Sequence, residues 1–422
     1  MSTPLRILVA GAGIGGLAAA LACSRAGHAV QVFEKSAALA EVGAGIQLGP
    51  NVTRILHQWG LASVLKHVAA FPACLQVRDA QGGQVLGLLR LGPTFEARYG
   101  APYATVHRAD LQQLLADTLL VNHGVVPAFG HAVAGFKHNE QFAQLQLTTA
   151  GAHNPVLQGD LLVAADGLWS SIRQGLLEDG PPQATGHVAY RCLIRQADLP
   201  VALRAALNTQ DVVVWLGPRL HVVHYPVRGG EWLNVVVIVE NPSSKVAESW
   251  SQDADTQEWG GFRPGLHRHL QDLLLAADGQ VDGHVDGSDR EAGSWRKWDL
   301  FARPAMQRSK AHGFGRVALL GDAAHPMLPY LAQGAGMAIE DAHALAIALG
   351  QVKDVSSQVE QFAQARWQRN ARVQRRAIRN GQIFHADGVV RWGRDLSMQL
   401  FGESLLDLPW LYRGQQRNMQ GS

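Results

Sequence analysis

The chain has 422 residues, 47% hydrophobic and 17% charged, which suffices for one large domain or two interleaved ones and excludes a disordered or fibrous protein. Lysine and arginine number 37 against 35 aspartates and glutamates, and a net charge of +2 is too small for the field of a nucleic-acid binder. Three widely spaced cysteines, Cys23, Cys74 and Cys192, argue against a disulfide framework or a cysteine-rich metal site and suit a reducing cytoplasm.

In chain order, Leu5–Ala10 reads as a short buried strand, Leu17–Arg25 as an alanine- and leucine-rich helix, and His28–Glu34 as a second strand. Together they form a βαβ unit of about 30 residues. Ile7 to Cys23 is uncharged but broken by Gly11, Gly13, Gly15 and Gly16, and no other run approaches the ~20 apolar residues of a membrane span. Neither export nor membrane insertion is expected. Cys74–Leu91, with its turn at 79–83, reads as a hairpin. Val212–Trp215, Leu220–Val227 and Trp232–Val239, separated by Gly217-Pro218 and Gly229-Gly230, read as an antiparallel meander expected to share the hairpin's sheet. Beyond Gly336 the chain turns helical over Met337–Leu349 and Val359–Ile383. Arginines at 366, 369, 372, 375, 376 and 379 are expected on a solvated helix face, because no aromatic stacking platform accompanies them.

Gly11-Ala12-Gly13-Ile14-Gly15-Gly16 fits G-x-G-x-x-G between the first strand and its helix, with Glu34 at the end of the next strand. Gly11 permits the tight turn, Gly13 lets the backbone approach a pyrophosphate, and Gly16 lets helix and strand pack closely; Glu34 can accept hydrogen bonds from an adenosine ribose. The pattern specifies a dinucleotide and leaves NAD against FAD open. Two further turns follow short apolar runs: Ala164-Ala165-Asp166-Gly167 after Leu161–Val163, and Gly321-Asp322-Ala323-Ala324-His325-Pro326 after Val317–Leu320. Each puts one aspartate at the carboxyl end of an expected strand, where ligands of parallel sheets bind. Taken singly, either aspartate could instead cap the following helix.

With these three motifs in this order, the sequence resembles the FAD-dependent aromatic hydroxylases, single-component flavoprotein monooxygenases, from Arg6 to about Tyr412. Within them it looks most like the group of 3-hydroxybenzoate 6-hydroxylase, salicylate hydroxylase and 6-hydroxynicotinate 3-monooxygenase. The resemblance implies an α/β fold in which a Rossmann-like FAD domain (1–73, 103–180 and 288–380) is interleaved with a smaller β-sheet substrate domain (74–102 and 181–287), followed by a C-terminal helical tail (381–422). It implies non-covalent FAD held by Gly11, Gly13, Gly16, Glu34, Arg108, Asp166 and Asp322, with Gly334 and Ala335 opening a helix that faces the flavin. NADH or NADPH would be a transient co-substrate, since no second fingerprint occurs.

The reaction implied is reduction of FAD by NAD(P)H, capture of O2 as a flavin C4a-hydroperoxide, and hydroxylation of a hydroxylated aromatic carboxylate. The first choice is 3-hydroxybenzoate to gentisate; salicylate 1-hydroxylation and 6-hydroxynicotinate 3-hydroxylation are alternatives. A phenol needs a base. Alternation along Leu220–Val227 puts His221, Val223 and Tyr225 on one face, with His221 and Tyr225 about 13 Å apart at roughly 3.3 Å per residue. This His-x-x-x-Tyr pair resembles the substrate-contacting pair of the 3-hydroxybenzoate and pyridine enzymes, so both are catalytic candidates; a histidine packed on a sheet face is the plainer reading. Tyr103 and Gln47 are substrate-binding candidates by the same resemblance. Gln47 stands where the pyridine enzyme has a histidine, and Pro329 where the 3-hydroxybenzoate enzymes have a glutamine. Expected partners are the small aromatic acid, O2 and NAD(P)H, without nucleic acid, membrane or metal; a homodimer is an open option. A flavin oxidase, dehydrogenase, halogenase or non-enzymatic flavin sensor is the rival class, although Trp295-Arg296-Lys297-Trp298 lacks the halogenase Trp-x-Trp-x-Ile-Pro spacing.

Overall fold

The computed structural model describes residues 4–39, 45–149, 154–240, 252–254, 260–278, 295–350 and 354–414. Two compact units form, one from Met1–Glu41, Ala109–Gln183 and Ala302–Ile378, the other from Val42–Arg108, Ala184–Phe301 and Arg379–Ser422.

The first unit is built on a five-stranded sheet in the order Gly313–Phe314, Val317–Leu319, Leu161–Ala164, Arg6–Ala10, Ala29–Phe33. The last four strands run parallel, Ile7 to Ala10 pairing with Leu161 to Ala164 on one side and with Val30 to Phe33 on the other. Continuous apolar runs suit this sheet because both faces are buried. The helix Ile14–Arg25 packs along the helix Gly334–Leu349. Small residues allow that approach: a Cβ at Gly15 would lie 3.0 Å from Leu320 and 3.3 Å from Ala338. The next helix runs unbroken from Val355 to Phe384. On it Arg372, Arg375 and Arg379 are exposed, as a solvated face requires, but Arg366 is fully buried among acidic partners.

The second unit is built on an eight-stranded sheet in the order Gln252–Asp253, Arg296–Ala302, Gln183–Arg195, Trp232–Glu240, Leu220–Val227, Val212–Gly217, Cys74–Asp79, Val85–Arg90. Hairpin and meander share it, joined by a parallel pairing of Val212–Leu216 with Leu75–Asp79 that makes the sheet mixed. One face buries Tyr190, Val213, Trp215, Val222 and Val235 against Leu270, Leu273 and Leu274 of the helix Arg268–Ala277. A small antiparallel sheet of Gly45–Leu48, Ala69–Ala70 and Ala104–His107 belongs to this unit. Residues 45–73 and 103–108 therefore group here, where the sequence reading had placed them in the FAD segments. Long-range bonds explain the grouping: Gly45 N donates to Asn234 Oδ1 at 2.8 Å and Thr105 Oγ1 to Pro226 O at 2.5 Å. The helix Gly388–Leu406 lies on the strand Val85–Arg90, with Gly402 so close to Gly87 that a Cβ would come within 2.8 Å of its Cα. Among the described residues no helix is long and apolar enough to cross a membrane.

Candidate flavin and substrate sites

In the first unit, four adjacent parallel strands end side by side, and each leads into an expected flavin residue: Ala29–Phe33 into Glu34, Arg6–Ala10 into Gly11–Gly16, Leu161–Ala164 into Asp166, and Val317–Leu319 into Asp322. Gly11 has φ +103°, and a Cβ there would meet Ala165 O at 2.4 Å; one at Gly16 would meet Gly11 O at 1.9 Å. Both glycines are sterically required. A Cβ at Gly13 or Gly334, by contrast, would meet nothing within 4 Å, so these backbones border open space. Each stands at the start of a helix, Ile14–Arg25 or Gly334–Leu349, that has no side-chain cap. Ala335 is the second residue of the latter helix.

Glu34 reaches back to the glycine turn, its Oε2 accepting from Ala12 N at 2.8 Å and its Oε1 from Ser36 N at 3.0 Å. Asp166 Oδ2 accepts from Ile172 N at 3.4 Å, and Ser170 Oγ accepts from Arg173 N at 2.9 Å, so both side chains serve the start of the helix Ser171–Leu177. Asp166 Oδ1 is buried without a partner among the described residues, and burial raises the carboxyl's pKa. Asp322 lies in a single helical turn, Gly321–Ala323. Backbone open to a ligand at Gly13 and Gly334 and two uncapped helix N-termini supply donors that fit a pyrophosphate, and the orphaned Asp166 Oδ1 supplies an acceptor that fits a hydroxyl of the same dinucleotide.

The substrate candidates lie in the second unit. Sheet register puts His221 beside Ile238 and Ala189, Val223 beside Val236 and Arg191, and Tyr225 beside Asn234 and Leu193, all on one face. Tyr225 OH donates to Gly45 O at 2.5 Å, and a Cβ at Gly45 would come within 2.5 Å of the Tyr225 ring. Tyr103 OH donates to Gln47 Oε1 at 2.6 Å. Burial raises the Tyr225 pKa, against the opposing pull of the Arg191 charge and a Gln47 hydrogen bond, so this phenol stays protonated. The fold thus brings Gln47, Tyr103 and Tyr225 together. His221 lies two pleat repeats before Tyr225, where its Nδ1 shares a proton with His385 Nε2 at 2.8 Å and its ring meets Phe384 edge-on at 5.4 Å. Burial, then the nearby His385 and His187, holds its pKa well below the usual histidine range. Arg108 is the last residue of this unit's first segment, Val42–Arg108, and opens the helix Arg108–His123; its charge bears on Arg191.

Arg191, Asn234 and His385 belong to this face or its border and were not expected. The Arg191 guanidinium lies 3.3 Å from the Trp298 ring centroid, its Nε is buried without a partner among the described residues, and burial with the Arg108 charge pushes its pKa down to about 9. Its sequence signal was a lone charge within Val188-Ala189-Tyr190-Arg191-Cys192-Leu193-Ile194, which a buried strand does not carry without reason.

Comparison with known proteins agrees with this geometry. Residues 5–379 match the family model described as FAD binding domain. A 3-hydroxybenzoate 6-hydroxylase of Klebsiella oxytoca is 33% identical over 99% of each chain, and one of Polaromonas naphthalenivorans is 35% identical over 97% of this chain and 96% of that one. A solved salicylate hydroxylase substrate complex superposes with a TM-score of 0.76 at 26% identity, covering 97% of this chain and 95% of its own. With the family model matched over most of its length and these relatives along nearly all of it, the chain belongs to the FAD-dependent aromatic monooxygenases.

Proposed function

We propose that this enzyme hydroxylates a hydroxylated aromatic carboxylate, with 3-hydroxybenzoate giving 2,5-dihydroxybenzoate as the first substrate, in the cytoplasm, where NAD(P)H is supplied and its three unbridged cysteines stay reduced. The observation that carries the reading is one sheet face bearing a buried histidine, a protonated tyrosine and a guanidinium whose buried Nε has no acceptor among the described residues. Identity of 33–35% to proteins named 3-hydroxybenzoate 6-hydroxylase supports it.

FAD, when bound, would supply the redox chemistry, with NAD(P)H as the reductant and O2 as the source of one oxygen for the ring and one for water. Gly11, Gly13, Gly16, Glu34, Asp166, Asp322, Gly334 and Ala335 would hold it, and Arg108 is a further proposed contact. Arg191 takes the substrate carboxylate, a charge-assisted bond that a neutral ring substituent cannot make. Tyr225, held by Gly45, and Tyr103, held by Gln47, border the ring and orient it. His221 is the proposed acceptor of the phenolic proton; burial depresses its pKa, so the negative charge developing on the phenol oxygen beside it has to raise its basicity for the transfer.

Substrate-stimulated NADH and NADPH oxidation should be measured with 3-hydroxybenzoate, salicylate and 6-hydroxynicotinate, and the products identified by mass spectrometry. Conversion of 3-hydroxybenzoate to 2,5-dihydroxybenzoate is expected. Hydroxylation of salicylate or the pyridine acid alone reassigns the substrate, and no hydroxylated product from any of them refutes the reading.

A further inference from the structure

We propose that Glu240 and His385 are positioning residues that fix the tautomer of His221 and leave its Nε2 as the proton acceptor. The proposal rests on the reading above, in which His221 is the base. A line of three groups runs through the second unit: His221 Nδ1 meets His385 Nε2 at 2.8 Å, and His385 Nδ1 meets Glu240 Oε1 at 3.3 Å. An ionised carboxylate only accepts hydrogen bonds, so His385 must carry its proton on Nδ1. Its Nε2 then holds a lone pair, which requires a donor from His221 Nδ1. A neutral His221 with its proton on Nδ1 has its lone pair on Nε2. The carboxylate two residues away in this line therefore decides which nitrogen of His221 can act as a base, the logic by which a buried aspartate orients the histidine of a catalytic triad.

Both imidazoles are neutral, as the argument needs. Burial pushes the His385 pKa down to about 3, helped by His187 and Arg394, and burial likewise depresses His221. The turn carrying His385 is held rigidly. Arg219 N donates to His385 O at 3.0 Å, and Arg394 Nη1 donates to the carbonyls of Ile383 and Phe384 at 3.0 and 2.9 Å. Arg219 also lies 3.8 Å from Glu240, whose side chain is 34% exposed, keeping a positive charge beside the carboxylate. His187 stacks on His385 at 5.1 Å with ring planes 15° apart. Rings stacked in near-parallel planes do not aim in-plane lone pairs at one ion, so the cluster is ordered for hydrogen bonding rather than for a metal.

The test compares wild type with His221→Gln, Glu240→Gln and Glu240→Asp as FAD-loaded full chains. The readouts are flavin occupancy, the rate of flavin reduction, and hydroxylated product formed per NADH consumed from pH 6 to 9. Glutamine at 240 offers a donor as well as an acceptor, so the tautomer is no longer dictated. The expected result is roughly a tenfold or greater fall in product formation near pH 6–7. It should recover toward pH 9, where the phenol ionises without a base, and Glu240→Asp should restore most of it, with flavin occupancy and reduction unchanged. A purely structural role would lower occupancy or act equally at every pH, and that result overturns the proposal. If His221→Gln loses product while Glu240→Gln matches wild type at every pH, the positioning role is wrong and the base stands. If His221→Gln also matches wild type, the underlying reading fails.

Discussion

Arg366 has no exposed side-chain surface and stands between two carboxylates, so Arg366→Met should destabilise the first unit strongly. Its Nε donates to Asp341 Oδ1 at 2.7 Å, its Nη1 to Glu340 Oε2 at 2.9 Å and its Nη2 to Asn370 Oδ1 at 3.1 Å. Two bonds to ionised partners at ~1.5–3 kcal/mol each suggest ~3–6 kcal/mol, and removing one member of a buried ion pair costs ~3–5 kcal/mol. Glu340 keeps two bonds from Arg369, at 2.6 and 2.7 Å, and Asp341 keeps those with Asn370 Nδ2 at 2.9 Å and with His325, so neither carboxylate is left without a partner. The lower part of the range, about 3–4 kcal/mol, applies. At ~2–4 °C per kcal/mol for a unit of this size, the melting temperature falls by roughly 6–16 °C. Arg375→Met, on the exposed side of the same helix, should stay within ~0.5 kcal/mol. The assay is thermal unfolding followed by tryptophan fluorescence at one scan rate with saturating FAD.

The same variant has a signature in pH. Burial would raise the Asp341 pKa, but His325 and Arg366 hold it far below the usual carboxylate range. A carboxyl depressed in the folded state adds stability above its unfolded pKa of ~3.9 and loses it as pH falls through the folded value. Arg366→Met removes part of that depression, so the gap to wild type is full at neutral pH and narrows only as pH falls through the variant's own folded Asp341 pKa. A melting temperature within 2 °C of wild type at pH 7 would mean that water or rearrangement replaces the guanidinium, and the ion-pair reasoning would be wrong.

Three further outcomes are expected. Gly11→Ala puts a methyl 2.4 Å from Ala165 O at a positive φ, so the purified variant should pass its flavin into the filtrate on dilution while wild type stays yellow and releases free FAD only on denaturation; equal retention removes the turn from the flavin site. Arg191→Met should lower kcat/KM for the aromatic acid by roughly 10- to 150-fold, the equivalent of ~1.5–3 kcal/mol for a charged hydrogen bond, and leave the corresponding amide unaffected; an equal loss for acid and amide excludes a carboxylate contact. His224 is buried with neither ring nitrogen partnered among the described residues, and burial, aided by the Arg78 charge, pushes its pKa down to about 3. The unfolded chain therefore takes up this proton first, and stability that is complete above about pH 6.5 declines as pH falls toward 3. His224→Leu should flatten the slope of urea midpoints between pH 7 and 5 by up to one proton, and an unchanged slope counts against the burial argument.

The flavin half of the molecule was legible because its signals are local. Gly16 is dictated by its contact with Gly11 within one strand-turn-helix unit, Gly11 by its positive φ as well as by Ala165 of a later strand's turn, and Asp166 and Asp322 each closely follow a short apolar strand. Adjacency of the four strands adds that these turns share one edge, which the order of motifs along the chain had already suggested. The hairpin and meander were legible for a similar reason, since glycine turns punctuate runs of period two. The arginine helix was misread at one position because periodicity tells which residues share a face, whereas burial of that face depends on what approaches it. Glu340 and Asp341 lie more than twenty residues before Arg366 and make it an interior residue.

The substrate face carries that argument one step further. Alternation alone aligned His221 with Tyr225, since both lie on one strand. Arg191 joins them only through register, opposite Val236, which is opposite Val223, and nothing near Arg191 in the chain announces that pairing. His385 arrives from the far side of the helix Val355–Phe384, and Glu240 from the end of another strand. A binding motif can be read when one turn supplies it, because the ligand is met by consecutive backbone groups. A base with its orienting partners cannot, because each proton in the line must be fixed by a group from a different strand or helix. Where such a line is found in the fold, its order of donors and acceptors is itself a chemical statement, and here it assigns the lone pair of His221 to Nε2.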